Sequence, residues 1–161
     1  MDITARGRFF SILVVTLCFA VLAWLNGRYV GTGAGQIALY TVLGLALALV
    51  CLTGLTGLIL ASAAPLRRDA GWPGALDAVA RGFLILLPFT VLAVLGELLF
   101  TWGAAPAFVQ AGIMTSGAAV GAEVMRRSGK KLKYMIAPML GAFTLSILWI
   151  VFSSVFRKVA G

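Results

Sequence analysis

The chain has no histidine, only five acidic residues and only two cysteines among its 161 positions. Each shortage removes a class of chemistry. Without histidine there is no bis-histidine haem, no HExxH zinc site and no Ser-His-Asp triad. Cys18 and Cys51 each lie within an apolar run, where a thiol behaves as a small hydrophobe rather than as half of a disulfide. No metal-ligand spacing is present, so neither a metal nor a cofactor is expected. Gly31, Gly33 and Gly35 lack the GxGxxG spacing, and Gly129-Lys130-Lys131 lacks the upstream glycine and the hydroxyl residue of a P-loop. The chain is therefore read as not an enzyme.

Apolar surface, by contrast, is abundant. Hydrophobic residues make up 61% of the chain and charged ones 11%, a balance that an ordinary soluble domain cannot bury. Several uncharged runs reach the roughly 20 residues a helix needs to cross the hydrocarbon. The net charge of +8 comes from cations gathered in short runs between these stretches. That placement makes anionic lipid head groups the expected partner and nucleic acid an excluded one. The expected fold is an all-α membrane protein, one polytopic transmembrane domain over residues 1–161.

Five spans are expected, at about 9–25, 37–64, 82–102, 105–124 and 134–156, with four spans as the alternative. The first follows Arg6 and Arg8 as a signal peptide would, but its apolar run is too long and no small-x-small cleavage site follows directly, so it is read as a retained span. Asn26 and Gly27 read as helix breakers at its end, beside the interfacial Trp24 and Tyr29. Between the second and third spans, Trp72-Pro73-Gly74 reads as a turn, and Leu76, Val79 and Phe83 as one face of a short interfacial helix. Pro88 is expected to kink the third span.

The glycine- and alanine-rich segment 105–124 is ambiguous by hydropathy, and the charges decide it. If it spans, ten of the 13 cations share one side and only Arg28, Arg157 and Lys158 face the other; if it does not, the division is seven against six. The positive-inside rule selects the first arrangement, which places the N-terminus in the cytoplasm.

Glu97 is the acidic residue well inside a span, and an intramembrane ionisable group is a functional candidate by default. Thr90 and Thr101 extend a polar stripe on its helix. Across the tight link near residue 103, Gln110 lies as many residues beyond the tip as Glu97 lies before it, so the two are expected to meet. Glu97 then either binds a proton or cation for transport, or hydrogen-bonds Gln110 to fasten two helices, the latter being preferred. Gly112, Ser116, Gly117 and Gly121 form a small-residue strip for close packing inside the bundle or against another subunit. Glu123 precedes Arg126 and Arg127 at helical spacing, an ion pair at the membrane boundary. Arg126, Arg127, Lys130, Lys131 and Lys133 are expected to contact lipid head groups.

Together these features point to a non-catalytic subunit or assembly factor of a larger complex in a bacterial inner membrane, with other membrane subunits or a second copy as partners. The alternative is a small oligomeric transporter or channel that uses Glu97 as its protonatable or cation-binding group.

Overall fold

A computed structural model describes residues 3–29, 33–62, 71–100, 105–129 and 133–160. Among them are six α-helices and no strand: α1 (Ile3–Tyr29), α2 (Ala34–Ala61), α3 (Trp72–Phe83), α4 (Leu86–Phe100), α5 (Ala105–Arg127) and α6 (Lys133–Ala160). Four stretches are long and apolar enough to cross a membrane: Arg6–Arg28, Ile37–Ala61, Trp72–Leu99 and Tyr134–Val151. The protein is a helical membrane bundle.

Helix α5 falls short of the others in hydropathy but not in length, since its 23 residues extend about 34 Å. Its packing shows how it runs. Against α3 and α4, Val120 meets Gly82, Gly112 meets Phe89, and Phe108 approaches Gly96, so partner numbers fall as α5 advances. Against α6, Gly117 meets Ala142 and Gly121 meets Met135, again antiparallel. Helix α5 therefore lies alongside its apolar neighbours and runs antiparallel to each.

The third span begins earlier than expected. Trp72-Pro73-Gly74 is the first turn of α3 and not a loop; Pro73 sits where a helix leaves its N–H groups unbonded anyway. Gly71 precedes it with φ 96°, a conformation that favours glycine. Helix α3 is also not an interfacial helix. Ala75, Ala78, Val79, Ala80 and Phe83 are fully buried, and the helix is wedged among α1, α2 and α5. Pro88 acts four residues upstream of itself, where its missing N–H and its ring deny Leu84 a helical bond. The chain breaks at Leu84 and Ile85, and the freed Leu84 carbonyl accepts from the Leu87 N–H at 3.0 Å.

Helix α1 passes through Asn26 and Gly27 without stopping, because both are buried in the bundle. The Tyr40 side chain of α2 lies where a side chain on Gly27 would begin, with its Cβ 3.1 Å from that point. Packing here overrides the weak helix propensity of the pair.

Close approach through small residues generates a stability prediction. A side chain at Gly117 would collide with Ala142, whereas one at Gly54 on α2 would meet nothing within 4 Å. Gly117→Leu should lower stability by about 1–3 kcal/mol through overpacking. Gly54→Ala should leave it unchanged or raise it by up to about 1 kcal/mol through helix propensity. Unfolding midpoints in a denaturing-detergent titration would measure both, and equal losses at the two sites would refute this packing.

Candidate functional site

The polar stripe expected on the third span is present in part. Thr90 is buried, and its hydroxyl donates to the Leu86 carbonyl of its own helix at 2.9 Å. Thr101 lies outside the described residues. Glu97 is half-buried, and its Oε2 is fully buried with no hydrogen-bond partner.

Gln110 does not complete the site. It stands seven residues, or two turns, before Gly117, so the two share a face of α5. That face meets Ala142 of α6, while Phe108 and Gly112 face α4. Matching residue counts from the hairpin tip gave similar depth, but the helical phase turns Gln110 toward α6 and away from Glu97.

A second buried polar group is left without a partner. Asn26 of α1 is 1% exposed, and its Nδ2 is buried without a hydrogen bond. Sequence reasoning missed Asn26 because Asn-Gly is a breaker signal. The informative signal was its spacing from the apolar face of α1.

The charged residues form a second centre. Arg127 is the hub, with its side chain only 11% exposed. Its Nη2 donates to Asp77 Oδ2 at 2.7 Å, its Nε to Glu123 Oε1 at 2.7 Å and its Nη1 to the Gly74 carbonyl at 3.3 Å. Arg81 caps one end through Nε to Asp77 at 3.0 Å. Arg126 closes the other by gripping both Glu123 oxygens, at 2.7 and 2.9 Å. Charges alternate along the chain Arg81, Asp77, Arg127, Glu123, Arg126. Spacings of three and four residues on one helix explain the outer links. The 77–127 link exists because α3 and α5 run antiparallel in contact at Gly82 and Val120.

Arg127, expected to contact lipid head groups, is half-buried, and its guanidinium is engaged by Asp77, Glu123 and the Gly74 carbonyl. Arg126 is 67% exposed and remains free to do so on its outer side. Lys130 and Lys131 lie outside the described residues, and Lys133 opens α6. Asp77 lies near the start of α3 and Glu97 near the end of α4, so the ionic chain and Glu97 stand toward opposite ends of the apolar stretch Trp72–Leu99. Gly117 and Gly121 are consumed in packing against α6, and Gly112 against Leu86 and Phe89. Ser116 is fully buried between these faces, its Oγ unpartnered.

Arg127→Gln leaves Asp77 and Glu123 short of their shared cation in a buried setting, and should cost about 3–5 kcal/mol. Arg126→Gln, at an exposed pair, should cost far less. Unfolding titrations of both variants would test this, and an equal cost would mean that the network is not anchored at Arg127. Compared with protein-family models, curated proteins and solved structures, the chain matches none.

Proposed function

We propose that this chain is a non-catalytic integral membrane protein, a subunit or assembly factor of a larger complex in a bacterial inner membrane, with its N-terminus in the cytoplasm. The observation that carries this reading is the Arg81–Asp77–Arg127–Glu123–Arg126 chain, in which four ion pairs within or across α3 and α5 engage all five charges. Charges that line a conduction path must remain available to a moving ion, and these are committed to fastening helices. The glycine strip of α5 is likewise committed to close packing. The outward faces of α4 and α6, with Leu98, Leu99 and Leu140 widely exposed, are left for lipid and for the helices of other subunits. The cytoplasmic side rests on the charge count, which puts ten of the 13 cations on one side when the segment 105–124 spans.

The test is purification in mild detergent, paired with deletion of the gene. A partner at fixed stoichiometry, whose own membrane abundance falls when this chain is removed, is the expected result. A chain that purifies alone, and whose deletion leaves every membrane complex intact, would reject the subunit reading.

A second reading rests on Glu97, whose Oε2 is buried without a hydrogen-bond partner. In it the protein is a small oligomeric transporter, and Glu97 takes up the coupling proton or cation. Glu97→Gln keeps the shape and removes the charge. In proteoliposomes carrying a pH-sensitive dye, the transport reading expects proton flux that this substitution abolishes. Flux unaltered by the substitution, or absent from the unsubstituted chain, would eliminate it.

A further inference from the structure

Helix α5 is poorly equipped to enter a bilayer by itself. Among the described residues four stretches are apolar enough to cross, and α5 supplies none of them. It carries Gln110, Thr115, Ser116 and Glu123 among its glycines and alanines. Its 23 residues extend about 34 Å, so a crossing of roughly 30 Å uses nearly the whole helix, polar positions included. Helix α3 has a complementary defect, since Asp77 and Arg81 interrupt the apolar stretch Trp72–Leu99 and Asp77 is only 5% exposed. The two defects meet. Arg127 Nη2 donates to Asp77 Oδ2 at 2.7 Å, and five residues beyond Asp77 the bare Gly82 backbone lies against Val120.

We propose that α5 crosses the membrane as a dependent of α3, with the Asp77–Arg127 pair as the latch that commits it. This latch presupposes five spans with the N-terminus in the cytoplasm, the reading given above. Asp77 is made first, and its cross-helix cation follows 50 residues later, at the very end of α5. Away from water each of the two charges is costly without the other, so docking of α5 on α3 satisfies both. Once held there, α5 can bring Gly112 against Phe89 and Gly117 against Ala142, and neighbouring helices cover its polar positions. The cation-rich loop after α5 biases which side its end occupies but does nothing for the polar residues within it. The two causes differ in sign at Asp77. Under cation bias alone, Asp77→Asn leaves the crossing unchanged or favours it, because acidic residues weigh little and here oppose the bias. Under the latch, the same substitution weakens the crossing.

The full chain with Gly161→Cys would be expressed in bacteria in a brief pulse, before misinserted chains are degraded, and the cells converted to spheroplasts. A membrane-impermeant maleimide, applied before and after permeabilisation, gives the ratio of outside to inside C-termini. Cys18 and Cys51 are buried, and the chain without Gly161→Cys supplies their background. Labelling from outside is expected with Asp77 and Arg127 in place; labelling only after permeabilisation would reject the five-span reading and the latch with it. Asp77→Asn should lower the ratio about tenfold, the worth of one hydrogen bond to a charged group. Arg127→Gln should lower it at least as far, and adding Asp77→Asn to it should lower it no further, because both break the same pair. A ratio for Asp77→Asn equal to or above that of the parent, or losses that add in the double variant, would overturn the latch and leave the five-span reading standing.

Discussion

In a bilayer, helices gain nothing from leaving water behind, so they hold together by contact and by keeping polar groups off the hydrocarbon. Helix α5 is where that constraint is most demanding. It carries Gln110, Thr115, Ser116 and Glu123, and its glycines and alanines offer little apolar surface. Such a helix is stable in lipid only if other helices cover it. Gly82 and Gly112 bring α3 and α4 onto one side of it, and the Gly117–Ala142 contact brings α6 onto the other. Thr115 turns its hydroxyl back to the Ala111 carbonyl at 2.7 Å, so the exposed part of the helix is also satisfied. The more apolar α2, α4 and α6 are free to take the lipid-facing positions, with Leu49, Leu98 and Leu140 widely exposed.

The same close approach makes the ionic chain possible. A guanidinium reaches a carboxylate on a neighbouring helix at 2.7 Å only if the two backbones are near and in register, and the Gly82–Val120 contact supplies both conditions. Arg127 has five N–H donors in a rigid fork, enough to meet two carboxylates and a carbonyl together, which a lysine ammonium could not do in that geometry. Burying such a group yields little net stability over a well-packed apolar contact, but removing one partner leaves a stranded charge. The network therefore acts as a register device: a slip of α5 along α3 by one turn would strand Asp77 and Arg127 together.

Local patterns were readable in the residue order, and long-range ones were not. Apolar run length placed α1, α2 and α6, and the asymmetry of cations favoured α5 as a crossing where hydropathy was silent. The Glu123–Arg126 and Glu123–Arg127 contacts follow from helical spacing alone. Asp77 and Arg127 are 50 positions apart, and no local pattern couples them. Their separate positions near charged turns made α3 look interfacial, when the pairing of those very charges is what permits its burial. Gln110 is instructive in another way, because depth and direction are separate coordinates on a helix. Counting from the hairpin tip fixes the first, and only the shared face with Gly117 fixes the second. Asn26 shows the limit of breaker signals, since Gly27 serves Tyr40 as a contact surface and not as a helix end.

The break at Pro88 links these features. A continuous straight helix from Trp72 to Phe100 would extend about 43 Å, and would have to hold Asp77 against Arg127 at one end and keep Gly96 beside Phe108 at the other. Long helices in contact drift apart unless they supercoil, because side-chain rows on one diverge from those on its neighbour. Relaxing two residues at Leu84 and Ile85 lets α3 and α4 each follow α5 over its own length. The Leu84 carbonyl, orphaned by the proline, is repaired locally by Leu87, so the break adds no unsatisfied acceptor to the membrane interior. Position 88 thus separates two packing problems: upstream, a register held by charge, and downstream, a stretch where Glu97 Oε2 is buried without a partner. The rigid end is built around its charges, and the polar groups available for binding lie at the end that the ionic chain does not constrain.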